Sequence, residues 1–269
     1  MLTVLEPGWA TTIQDGGRPG YAHLGVSPSG MVDRRLGALV NRLVGNHDDT
    51  ALIETSGGLV VRAERALLLA TSVETAPFTL AAGEIYRLPP VARLWSYVAV
   101  RGGLVTERVL ASASTDTLGQ LGPPPVAAGD RFAIGDDPGS EITLDVAPLG
   151  ALGEVVRCTP GPRADWFAAG WQRILTEATL TVADTSRVGV RLRGAELVRA
   201  RTDELPSEGL VRGAVQAPPG GELVMMLADH PTTGGYPVVA VVDPDDVAVV
   251  AQHRPGTTVR LRLTEPPSE

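Results

Sequence analysis

The chain contains no lysine; all 23 of its basic residues are arginine. That absence excludes a lysine Schiff base and a P-loop lysine set against a nucleotide phosphate. Cys158 is the single cysteine, so neither an intrachain disulfide nor a thiolate-rich zinc site is possible. His23, His47 and His253 are dispersed without metal-ligand spacing, and no metal is expected. No run of about 18 apolar residues exists to span a bilayer. The opening Met1-Leu2-Thr3-Val4-Leu5-Glu6-Pro7 has neither a basic n-region nor a long apolar h-region. The expectation is a cytoplasmic protein with no membrane partner. A net charge of -8 argues against a nucleic-acid partner, whose footprint is normally basic.

What is present is a pattern of short strands. A length of 269 residues allows one large or two small domains with a substantial core. The 31 glycines and 22 prolines suit many strands joined by turns. Brief apolar or alternating runs predict strands at residues 2–5, 51–55, 59–62, 66–71, 85–88 and 93–101. One long helix is predicted from about 34 to 44, with Leu36, Val40, Leu43 and Val44 on one face and Asp33 as N-cap. Gly45 and Asn46 end it.

The second half repeats the style. A helical turn is predicted at 165–169, with strands near 178–182, 188–192, 210–215, 223–227, 237–242 and 257–264. A second helix is expected to open on Asp243 as N-cap with Pro244 first inside, and to end near Gln252. The stretch from about 135 to 153 is rich in Gly, Pro and Asp and marks the domain boundary, giving domains at 1–140 and 150–269. Each half is expected to hold one helix of real length and six or more strands. Such halves suit closed antiparallel barrels, which leave no exposed sheet edge.

Chemistry concentrates at one strand end. The apolar run Leu223-Val224-Met225-Met226-Leu227 leads into Ala228-Asp229-His230-Pro231-Thr232-Thr233-Gly234-Gly235-Tyr236-Pro237. Polar groups in a tight loop after a strand are a common way to build a site. Asp229 can accept a proton, or can hold the turn through backbone N–H groups. Thr232 and Thr233 offer hydroxyls; Tyr236 closes a site or packs in the core. The near-isosteric Asp229→Asn is expected to keep the fold, and Gly235 to need positive φ.

A second cluster is Gln14, Asp15 and Arg18 in a Gly-rich loop. Arg18 either clamps an anion or pairs with Asp15. Ser29 and Asp33 precede a helix start, which favours an anion, although capping alone explains Asp33. Arg187 and Arg191 stand four apart in an apparent strand and are expected on one face, open to an anion or a partner. Glu208 and Gln216, beside glycines, are pocket candidates.

The Asp-x-x-Thr-Thr-Gly-Gly-Tyr-Pro run resembles a signature of the biotin-dependent carboxyltransferase family, which takes in allophanate hydrolase subunit 2 and the C-type subunit of 5-oxoprolinase. Further segments resemble that family in its order: residues 12–21, 29–33, 41–46, 187–192, and Ser207-Glu208-Gly209 with Gly213-Ala214-Val215-Gln216. The resemblance implies two cyclophilin-like β-barrels. It implies either a subunit of ATP-hydrolysing 5-oxoprolinase or a carboxyltransferase moving a carboxyl from carboxybiotin to an amide such as urea. A third implication is a regulatory partner that opposes a kinase inhibitor. The first two imply a small amide or lactam substrate and a companion subunit of the B type, with an A-type protein besides. ATP belongs to the complex, on a chain the sequence does not identify. Biotin, which is carried on lysine, has to arrive on another chain. Relatives usually carry another residue at His230, which places it at a rim. They also often carry basic residues where this chain has Ala113 and Val238, which leaves the substrate open.

Overall fold

The computed structural model describes residues 1–142, 146 and 150–264. Part of the 135–153 connection therefore lies outside the described residues. The chain forms two compact units: Met1–Gly20 with Pro28–Ala151, and Tyr21–Ser27 with Leu152–Glu269. The boundary read from composition does not announce that the seven residues Tyr21–Ser27 belong to the second unit.

Unit 1 holds β1 (Leu2–Glu6), β2 (Thr12–Gln14), α1 (Arg34–Leu43), β3 (Leu52–Thr55), β4 (Val60–Ala63), β5 (Leu67–Thr71), β6 (Phe78–Leu80), β7 (Ile85–Arg87), β8 (Ser96–Val100), β9 (Leu104–Val105) and β10 (Arg131–Ile134). They make two five-stranded sheets, β7-β4-β1-β10-β9 and β2-β3-β8-β5-β6. Leu2, Val4 and Val61 from the first sheet join Ile13, Ile53, Leu69 and Val98 from the second in one buried cluster. Each such side chain contributes about 1.5–3 kcal/mol on burial. Asp33 caps α1 as its position dictates, with Oδ1 accepting from the Leu36 N–H at 3.0 Å. A buried network ties that helix start to the sheet: the Tyr97 hydroxyl donates to Glu54 at 2.8 Å and accepts from the Asp33 N–H at 2.7 Å. Burial, reinforced by Glu54 and Asp33, holds the Tyr97 phenol well above its usual range.

Unit 2 holds β11 (Val155–Pro160), α2 (Trp171–Glu177), β12 (Leu180–Thr185), β13 (Gly189–Arg193), β14 (Glu208–Gly209), β15 (Ala214–Gln216), β16 (Leu223–Met226), β17 (Thr233–Gly234), β18 (Val238–Val242), α3 (Val247–Ala251) and β19 (Thr258–Leu263). Seven strands close a barrel in the order β11-β18-β15-β16-β13-β12-β19. Inward Val156, Cys158, Leu180, Val182, Val190, Leu192, Val259 and Leu261 are buried in strict alternation. Burial pushes the Cys158 thiol up to about 12, which makes it an inert packing residue.

Among the described residues the fold is mainly β with three α-helices, as expected in class, with corrections. Unit 1 forms two five-stranded sheets and not the expected closed barrel, and α2 is an additional helix just past the turn expected at 165–169. The barrel is not wholly antiparallel, because β11 and β19 run parallel. A parallel pair needs a long crossover, and here the rest of unit 2 supplies it. The last helix does not open on Asp243. The carbonyl of Asp243 accepts from Asp246 N at 2.8 Å and Val247 N at 3.1 Å, making a turn. Helix α3 starts after Asp246, whose carboxylate is held by Arg157. Among the described residues no helix is long and apolar enough to cross a membrane.

Candidate functional site

The strand β16 delivers the chain to a loop whose root is fixed from several directions. Leu227 N donates to Val188 O at 2.9 Å, and the buried Ser27 hydroxyl donates to Ala228 O at 3.0 Å. Asp229 N donates to Arg187 O at 2.9 Å. The Asp229 carboxylate then meets the Arg187 guanidinium in a bidentate pair, Nε to Oδ2 and Nη2 to Oδ1, both 2.9 Å. Its charge is compensated inside the protein, so the carboxylate is not an open proton acceptor.

His230 is 4% exposed and is no rim residue. Its Nδ1 lies 2.7 Å from the Pro231 carbonyl, which only accepts, so the proton sits on Nδ1. Burial lowers its pKa below the usual 6.5, with the Arg212 charge acting the same way.

Beyond Pro231 the loop turns outward as a small ribbon. β17 pairs with β14, setting Gly234 opposite Glu208 and Thr233 opposite Gly209, and Leu210 N donates to Thr232 O at 2.9 Å. Leu210 belongs to a small apolar cluster with Ala214, Met226 and Val238, flanked by Val224 and Val241. Gly234 is the close-approach glycine: a Cβ there would lie 2.6 Å from Gln216 Nε2 and 2.8 Å from Leu210 Cδ1. Gly235 has no positive φ and no atom closer than 3.5 Å to a Cβ, so the expected backbone constraint does not exist. Gln216 is buried and donates to Tyr236 O at 3.0 Å, while Tyr236 itself is 48% exposed rather than packed. Glu208 is gripped by Arg163, with Nε 2.9 and 3.0 Å from its two oxygens. Arg163 holds the Glu208 carboxyl below its usual range by hydrogen bonding and by charge.

Arg187 and Arg191 are not neighbours on one face. β13 begins at Gly189, so Arg187 precedes the strand and turns inward, whereas Arg191 lies on the outer wall against Glu222 at 3.3 Å.

The second predicted cluster gathers in unit 1. Asp15 accepts from Ser112 and Ser114 hydroxyls at 2.6 Å each, from Gly17 N at 2.8 Å and from Ala113 N at 2.7 Å. Arg108 stands 3.6 Å away. Arg18 is buried and donates to the carbonyls of Ser114 and Val109. Gln14 donates to Thr12 and to Thr115 O, and Ser29 donates to Thr115 O at 3.1 Å. These groups clamp a turn in which Leu110 and Ala111, neither of them glycine, both hold positive φ (51° and 65°). Such strain persists only where its surroundings over-determine it.

The predicted residues thus form a ribbon group in unit 2 (Thr232, Thr233, Gly234, Gly235, Tyr236, Glu208, Gln216), rooted on Asp229 and Arg187, and a buried group in unit 1. Sequence reading missed Arg163, 45 residues from Glu208, as well as Ser27 and Arg108; no local spacing marks them. Ala113 and Val238 are both buried in apolar clusters.

A closed barrel carrying a polar surface ribbon over an internal arginine–carboxylate pair defines a mainly-β protein whose polar groups sit on loops. Residues 24–263 match the family described as carboxyltransferase domain, subdomain A and B, and the chain belongs to that family. It is similar to the C-type subunit of 5-oxoprolinase from Escherichia coli (strain K12), 32% identical over 271 residues, covering 94% of this chain and 87% of that protein. Among solved structures it is similar to TTHA0988, with TM-score 0.86 and 35% identity over 98% of this chain and 55% of that one. It is also similar to the K. lactis urea amidolyase, with TM-score 0.88 and 26% identity over 97% of this chain. The chain spans about half of the TTHA0988 chain and 18% of the amidolyase chain.

Proposed function

We propose that this chain is the C-type subunit of an ATP-hydrolysing 5-oxoprolinase that opens 5-oxoproline to L-glutamate with companion subunits. The observation that carries the reading is the extent of likeness to the E. coli 5-oxoprolinase protein, which is nearly complete in both chains. In the reaction the lactam C–N bond breaks. One water gives its oxygen to the carbonyl carbon and its two hydrogens to the nitrogen, which leaves as the ammonium of L-glutamate, and a second water is consumed as ATP is hydrolysed to ADP and phosphate. The ribbon in unit 2 offers groups suited to an amide and its carboxylate: the Arg163–Glu208 pair, the Gln216 amide, and the Thr233 and Tyr236 hydroxyls.

The chain has no lysine to set against a nucleotide phosphate as in a P-loop. In this reading ATP belongs to the complex, on a chain that reconstitution has to identify, and the complex works in the cytoplasm. A second reading, favoured by the likeness to urea amidolyase, is carboxyl transfer from carboxybiotin on another chain to an amide.

The test is reconstitution of the three subunits with 5-oxoproline and ATP, beside an arm with urea and carboxybiotin. Glutamate release only by the full complex is expected, with none from the isolated chain. Turnover by the isolated chain, or activity confined to the carboxybiotin arm, refutes the 5-oxoprolinase reading.

A further inference from the structure

We propose that unit 2 holds a separate small-molecule site, a cleft beside β15 that binds a compact monocarboxylate with an apolar body. The cleft has a volume of ≈ 90 Å³ and is lined by Phe167, Ala195, Leu197, Arg199 and the 217–223 segment. Its floor is apolar, since Phe167, Ala195, Ala217 and Leu223 are all buried. One cation stands in the wall. Arg199 is half-buried, and its Nη2 donates to the Ala217 carbonyl at 3.0 Å. The backbone beneath it is pinned on both sides: Ala168 N donates to Val198 O and Ala200 N to Trp166 O, each at 2.9 Å. A guanidinium carries five N–H donors in a fixed fork. The donors of Nε and Nη1 have no partner among the described residues.

Glu222 also lines the cleft, but Arg193 and Arg191 bind its carboxylate at 2.6 and 3.3 Å, so its charge is compensated by them. Among the described residues Arg199 is then the one lining cation with open donors. A single guanidinium balances one negative charge, which favours a monocarboxylate over a phosphoryl dianion. A water-sized occupant takes about 10–15 Å³ of such space, so the cleft admits fewer than about ten non-hydrogen atoms, which excludes a nucleotide. The rim is the turn at Gly220 and Gly221, whose φ values of 111° and 81° require glycine while leaving open space above each Cα. Ala217 N donates to Pro237 O at 3.1 Å, so the cleft abuts the end of the ribbon loop.

The proposal stands whether or not the chain serves a 5-oxoprolinase, because its test reads binding to the full chain alone. Amide spectra would be followed by NMR during titration with cyclopentanecarboxylate, 5-oxoproline, neutral 2-pyrrolidinone and methylphosphonate. Saturable shifts at residues 195–199 and 217–223 are expected with both carboxylates. Binding of 2-pyrrolidinone should be on the order of tenfold weaker, the scale of one lost charged hydrogen bond. Arg199→Gln, which keeps a donor for Ala217 O, should weaken both carboxylates to the same degree without moving the melting temperature. Ala195→Val fills the floor, leaves Arg199 in place and should also remove binding, so the site is testable even if the arginine variant fails to fold. No saturable shift, equal binding of 2-pyrrolidinone, tighter binding of methylphosphonate, or unchanged titration in a folded variant would each overturn the site.

Discussion

The guanidinium of Arg187 and the carboxylate of Asp229 meet in two parallel 2.9 Å hydrogen bonds within unit 2, their side chains 2% and 0% exposed. Removing one partner of a buried pair strands the other charge, at about 3–5 kcal/mol. Asp229→Asn is therefore expected to lower the denaturation midpoint substantially, contrary to the expectation from sequence that it keeps the fold. Replacing both partners by apolar residues, Arg187→Met with Asp229→Leu, should recover most of the loss. Urea unfolding of the three variants checks this; an unchanged midpoint for Asp229→Asn would show that the pair does not support the loop.

The two glycines of the ribbon should separate. Gly234→Ala forces Gln216 and Leu210 to move, and overpacking of this kind costs about 1–3 kcal/mol. Gly235→Ala meets the Leu205 carbonyl at 3.5 Å and the Ser207 hydroxyl at 4.0 Å, both ordinary contacts, and should be close to neutral. Thermal melts decide it: equal losses would mean that Gly234 does not pack as described.

His230 sets a pH dependence. Its folded pKa lies below the unfolded 6.5 because the ring is buried. The unfolded chain therefore binds the extra proton first, and stability falls as pH drops from the unfolded value through the folded one. His230→Gln should flatten the stability profile between about pH 5 and 7. A profile as steep as that of the parent chain would rule this out.

Glu208 offers a cleaner probe of the ribbon's role. Arg163 depresses its folded pKa, so its stabilising contribution is present above the unfolded value and lost as pH falls through the lowered one. The pair is partly solvated, and such pairs add little at neutral pH. Glu208→Gln should leave the melting temperature nearly unchanged at pH 7 while raising KM or lowering kcat of the assembled complex on the order of tenfold. Unchanged kinetics would remove the ribbon from the site.

Much of the fold was legible because it is local. The 3.6-residue spacing of Leu36, Val40 and Leu43 with Asp33 before them gives α1, and alternation gives β19 and β13. The loop after β16 was legible too, since an apolar run ending in Asp, His, Thr and Gly marks a strand end. The second helix was misplaced for a tertiary reason. Asp243 and Pro244 form a sound helix start by composition, but Arg157 from β11 takes the Asp246 carboxylate, and the turn closes before α3.

By itself the sequence determined α1 and the main strands through their periodicity, the absence of any lysine chemistry, and which loop gathers polar groups. Only the tertiary structure decided what those groups do. It set Asp229 against Arg187 across 42 residues and Glu208 against Arg163 across 45. It also sent Arg187 inward and Arg191 outward, because the strand begins between them. Spacing along a chain fixes which side chains share a face within one element. Where an element starts, and which distant strand it meets in which register, is fixed by packing, and a one-residue change there exchanges core for solvent.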